Sequence, residues 1–151
     1  EHGPNNHPEL WRRFCDSLGV KRTEIVDRKY LPHTKESVRI LKELSARANP
    51  AEGIAALYAY ESQIPEVSTT KIEGLKKHYN LDTKDALEFF EVHEHADEIH
   101  RTVTREALAK MCQTDSQKEA ALDAAREAAD ALNLLLDGVY ENYCSRHLAT
   151  T

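Results

Sequence analysis

Apolar positions recur along this chain at helical spacing, and no stretch alternates in the strand manner. Leu10, Trp11, Phe14 and Leu18 form the first stripe. Asn5 and Asn6 are its caps, Pro8 suits its opening turn, and Gly19 ends it. The period fades over residues 20–33, which hold Pro32. A cap at Thr34 then opens a helix marked by Val38, Leu41 and Leu44. Asn49-Pro50 with Glu52 is a strong start, combining a capping side chain, a first-turn proline and an acid at the positive helix end. That helix carries Ile54, Leu57, Tyr58 and Glu61 until Pro65 interrupts or kinks it. Residues 66–79 read as another helix ending near Asn80, and Asp82 with Asp85 opens a long one reaching about Cys112. Ser116 and Glu119 predict a capping box for a last helix over 117 to about 146. The pattern predicts one all-α domain over 1–151.

Composition narrows the function classes. The formal net charge is -6. Lys71, Lys76 and Lys77 alternate with acids instead of forming a basic stripe, so no nucleic-acid partner is expected. No apolar run is long enough to span a membrane, and no charged leader precedes an apolar core. Cys15, Cys112 and Cys144 are odd in number and far apart, which predicts no disulfide framework and a reducing, cytoplasmic setting. None of the three sits in a context that activates a thiolate, so all read as core or partly buried thiols. A Gly-rich phosphate loop, a GxSxG elbow and a CxxC pair are all missing.

The chemistry concentrates in Phe89-Phe90-Glu91-Val92-His93-Glu94-His95-Ala96-Asp97-Glu98-Ile99-His100. His93, Asp97 and His100 follow the spacing i, i+4, i+7, which puts them within about 60° of arc on one helix face. Two imidazoles and a carboxylate there suit a first-row metal, iron or manganese. Glu61 is the best glutamate to complete such a shell, since it follows the apolar run Ile54–Tyr60, where a carboxylate needs a cation beside it. Glu66 ranks second. His95 falls on the opposite face, and Glu91, Glu94 and Glu98 read as solvated. Spacing alone leaves open whether this is a ligand face or a solvated one. Tyr58 and Tyr60 read equally as core, and Lys71 as an exposed lysine.

Tyr58-Ala59-Tyr60-Glu61-Ser62-Gln63-Ile64-Pro65, together with His93-x3-Asp97-x2-His100, resembles the haem-oxygenase-like di-metal oxidases. Within them the chain is most similar to the para-aminobenzoate synthases first described through an association with death domains. Asn6-His7-Pro8-Glu9-Leu10-Trp11 resembles the early ligand helix of that family. The resemblance implies a seven-helix bundle and two metal ions, iron, manganese or both, held by His7, Glu61, His93, Asp97 and His100. It implies one further glutamate seven residues before His7. Glu1 stands six before, a substitute for a ligand expected in a preceding segment outside this chain, and that segment would also cover the site.

The same resemblance implies a reaction. With dioxygen as co-substrate, a tyrosine of the protein becomes para-aminobenzoate for folate biosynthesis and Lys71 donates the nitrogen. Tyr60 stands beside the metals, Phe89 occupies a place where relatives carry a tyrosine, and the tyrosine consumed lies in the preceding segment. A homodimer is implied, and the reductant is left open. Two alternatives remain at this level. One is a cofactorless oxidase of the pyrroloquinoline-quinone-synthase kind. The other is a helical protein-interaction module. A haem-oxygenase-like axial role for His7 or His2 would leave the His93-Asp97-His100 face unexplained.

Overall fold

A computed structural model describes residues 6–26 and 28–144, and among these every regular element is helical. The helices are α1 His7–Ser17, α2 Arg22–Val26, α3 Pro32–Ser45, α4 Pro50–Glu61, α5 Ile64–Tyr79, α6 Lys84–Met111 and α7 Asp115–Val139. A π-helical turn, Tyr140–Cys144, follows α7. The expectation of an all-α fold is borne out, and among the described residues no helix is long and apolar enough to cross a membrane. Asn5 and the end of the last helix beyond Cys144 lie outside the described residues.

Most boundaries follow the side chains that set them. Asn6 accepts from the Glu9 N–H at 3.0 Å and caps α1, and Gly19 closes it at φ 77°. Asn49 caps α4 by accepting from the Ala51 N–H at 3.2 Å. Asn80 ends α5 in the left-handed region at φ 53°, with the Leu81 N–H returning to the Leu75 carbonyl. Pro65 interrupts the helices rather than kinking one, because it lies in the first turn of α5, where a missing N–H costs nothing.

Three expectations need correction. α3 starts at Pro32, ahead of the cap expected at Thr34, since proline is preorganised for a first turn. The capping box of α7 is Thr114 with Gln117 instead of Ser116 with Glu119. The Gln117 Oε1 accepts from the N–H groups of both Gln113 and Thr114 at 3.0 Å, which fixes that register. The short α2 was not legible, since it buries no side chain and so has no apolar stripe.

The chain falls into two compact units. One draws on Glu1–Lys29 and Gln63–Ile99. Its centre is aromatic: Phe14 meets Phe90 edge to face at 5.0 Å, and Trp11 meets Phe89 at 4.9 Å. These pairs lock α1 onto α6, with Leu10 and Leu87 buried around them. Arg13 and Glu88 add an ion pair at 3.2 Å between the same helices.

The other unit draws on Tyr30–Ser62 and His100–Thr151. Its core holds Leu44 of α3, Ala56 of α4, and Ala124 and Ala128 of α7, with Ile40, Leu41 and Ala59 packed against it. Ala51 and Ala55 on α4 are buried, as are Ala121 and Ala131 on α7. Such small side chains let helix backbones approach closely, so α4 and α7 pack through alanine faces while Leu44 fills the remaining space. That packing sets where the end of α4, and with it Glu61, comes to rest.

Candidate metal centre

α6 is uninterrupted from Lys84 to Met111 and carries His93, Asp97 and His100 on successive turns of one face. Exposure changes along that face. His93 is half-buried, Asp97 is 4% exposed, and the His100 side chain is 54% exposed. A carboxylate as deep as that of Asp97 is unfavourable unless cations or donors surround it.

Within the first unit, His93 has its tautomer set. Its Nδ1 lies 2.5 Å from the Phe89 carbonyl one turn earlier. A carbonyl only accepts, so Nδ1 carries a proton and donates it, which leaves Nε2 as the nitrogen available to a metal. Metal-bound histidines are held in this way, with the second ring nitrogen donating to a carbonyl or carboxylate. The Phe89 ring packs on the imidazole at 4.3 Å, and the His7 ring meets it edge to face at 4.7 Å. His7 opens α1, so the Asn6 cap positions that imidazole.

Within the second unit, Glu61 is the last residue of α4, and its Oε2 lies 3.5 Å from His100 Nδ1. Asp97 stands one turn before His100 on the same helix. Glu61 and His100 thus offer a carboxylate oxygen and a ring nitrogen close together. Donors about 2.1 Å from a shared ion sit roughly 3.0 Å apart at a right angle and roughly 3.4 Å apart at a tetrahedral angle. The Glu61–His100 spacing is of that size. Nitrogen and carboxylate donors match iron or manganese, and the donor set therefore fits such a metal.

The remaining expected residues are placed as follows. Lys71 is exposed on α5. Tyr60 is 43% exposed and lines a cavity of about 220 Å³ with Leu41, Ser45, Ala56 and Leu57. Tyr58 lines a separate apolar cavity of about 320 Å³ with Leu108, Cys112 and Ala121. Glu66 is exposed in the first turn of α5. His95, Glu91 and Glu98 are exposed, in line with expectation. Glu94 is half-buried and accepts from the Thr69 hydroxyl at 2.6 Å. Glu1 and His2 lie outside the described residues.

Two further contributors had no motif to reveal them. One is the Phe89 carbonyl, which lies four residues before His93 as helix geometry requires. The other is Arg101, whose Nη1 donates to the Ser62 carbonyl at 3.2 Å, one residue beyond Glu61. Its only signal was a cation directly after a candidate ligand histidine.

The thiols offer no rival chemistry. Burial, and secondly the Asp16 carboxylate beside it, push the Cys15 thiol up, away from a reactive thiolate. Cys112 is half-buried, whereas Cys144 is exposed and corrects the expectation of a buried thiol there.

The 4-aminobenzoate synthase of Nitrosomonas europaea is 38% identical over 145 residues, covering 96% of this chain and 59% of that protein. That of Chlamydia trachomatis is 31% identical over 149 residues, covering 97% and 64%. The pyrroloquinoline-quinone synthase of Xanthomonas oryzae pv. oryzae is 29% identical over 117 residues, covering 66% and 45%. The chain thus spans about three fifths of the length of the 4-aminobenzoate synthases it matches. The family described as iron-containing redox enzymes matches residues 1–133, and the chain belongs to that haem-oxygenase-like family.

Proposed function

We propose that this chain forms the metal-holding part of an oxygen-dependent di-metal oxidase that makes 4-aminobenzoate for folate biosynthesis. The observation that carries the reading is the 3.5 Å approach of the Glu61 carboxylate to His100 in a chain so similar to 4-aminobenzoate synthases. His7, Glu61, His93, Asp97 and His100 hold the metals, two irons or iron with manganese. Bound there, the metals supply activation of dioxygen.

The chain's own residues do the rest. The Phe89 carbonyl keeps the His93 proton on Nδ1 and so presents Nε2 as the ligand atom. Burial of Asp97 holds water away from its carboxylate. A tyrosine of the protein supplies the aromatic ring, Lys71 donates the amino nitrogen, and Tyr60 relays oxidation near the metals. The exposure of Lys71 leaves its amine free of a hydrophobic burial cost.

Lys71→Arg tests the amino-donor role. The expected result is loss of 4-aminobenzoate output with the metal content unchanged. Output equal to that of the unsubstituted protein overturns the lysine role.

A further inference from the structure

We propose that Arg101 is a positioning residue for the Glu61 carboxylate, acting through the end of the helix that carries it. The inference rests on the metal-holding role given above to Glu61.

The end of α4 needs an outside donor. Its last turn contains no basic residue, although a helix C-terminus is the negative end of the macrodipole and leaves carbonyls without partners. The Ser62 N–H closes back on the Tyr58 carbonyl at 3.0 Å. Four residues beyond Glu61 the chain places Pro65, which has no N–H to return to the Glu61 carbonyl. The α4 ladder therefore stops here, and the next carbonyl, that of Ser62, takes a donor from another helix.

Arg101 supplies what is missing. It is half-buried on α6, and its Nη1 donates to the Ser62 carbonyl at 3.2 Å. A guanidinium is always charged and presents its donors in a rigid fork, so it both caps the carbonyl and complements the dipole.

The neighbouring residues make the second contact, with His100 Nδ1 lying 3.5 Å from Glu61 Oε2. Positions 61 and 62 on one side thus meet 100 and 101 on the other. Together the two contacts fix both the place and the rotation of the last turn of α4, and so the direction of the Glu61 side chain.

The test compares the full chain with Arg101→Gln and Arg101→Lys. Mn2+ affinity is measured by titration, amide hydrogen exchange is followed over residues 60–64, and the melting temperature is recorded as a control on the fold. Arg101→Gln is expected to weaken Mn2+ binding by about tenfold to a hundredfold, the range for partners that orient a ligand. Exchange in the last turn of α4 should quicken in step, and Arg101→Lys should restore most of both. Exchange and affinity unchanged in Arg101→Gln overturn the proposal. So does an equal loss in both variants accompanied by an equal fall in melting temperature, which marks general packing. Should Arg101→Gln fail to fold, Arg101→Lys decides alone: near-normal exchange and affinity support positioning by a cation, and faster exchange with weakened binding overturns it. An unsubstituted chain that takes up no Mn2+ counts against the proposed function, and the exchange measurement then decides the role of Arg101.

Discussion

His100 Nδ1 and Glu61 Oε2 stand 3.5 Å apart, joining the middle of α6 to the last residue of α4. A carboxylate and an imidazole at this spacing form an ion pair when the ring is protonated, and without that proton they match two donors on one ion. Glu61→Gln separates the two roles, because an amide keeps the shape and removes the charge. The expected outcome is a helical fold unchanged by circular dichroism. Metal affinity should fall by more than the roughly tenfold to hundredfold loss that follows removal of an orienting partner. An affinity equal to that of the unsubstituted chain would show that Glu61 is no ligand.

Gly138 gives a prediction against intuition. Glycine in a helix is usually worse than alanine by about 0.5–1 kcal/mol, so Gly138→Ala looks stabilising on propensity alone. Here, however, a Cβ at position 138 would lie 2.5 Å from His33 Cβ and 2.7 Å from His33 Cγ. Those atoms sit at the root of the side chain and cannot swing aside. Overpacking of this kind costs about 1–3 kcal/mol, which outweighs the propensity gain. Gly138→Ala should therefore lower the unfolding free energy measured in urea, and adding His33→Gly, which removes both atoms, should recover part of the loss. A more stable Gly138→Ala would contradict the His33 contact.

The cysteines should react in order of their surroundings. Cys15 is half-buried, and its thiol is pushed up by burial and by Asp16, so its thiolate appears only at higher pH than that of a free thiol. Cys144 is exposed. With iodoacetamide near neutral pH, mass spectrometry should find Cys144 alkylated first and Cys15 lagging, with the lag shrinking as the pH rises. Equal rates at neutral pH would contradict the placement of Cys15.

The sequence carried the local part of this structure well. Asn6, Asn49 and Asn80 act on backbone groups within a few residues, so their effects are written in short motifs. The His93-Asp97-His100 face is likewise a property of one helix. Registers that depend on competing motifs were less legible. Thr114-x2-Gln117 and Ser116-x2-Glu119 both satisfy the capping pattern, and only the bonds to Gln117 choose between them. Contacts between helices left least trace. Nothing near Arg101 says that it meets the end of α4, 39 residues earlier, and nothing near Thr69 says that it binds Glu94. The deep burial of Asp97 between two less buried histidines also follows from packing and not from spacing.

Metal content tests the central claim most directly. The chain is produced with iron and manganese supplied, purified, and measured by elemental analysis beside His93→Ala. The account predicts bound iron or manganese in the unsubstituted protein and a clear loss in the variant. A folded protein that holds no metal, with His93→Ala indistinguishable from it, would contradict the account.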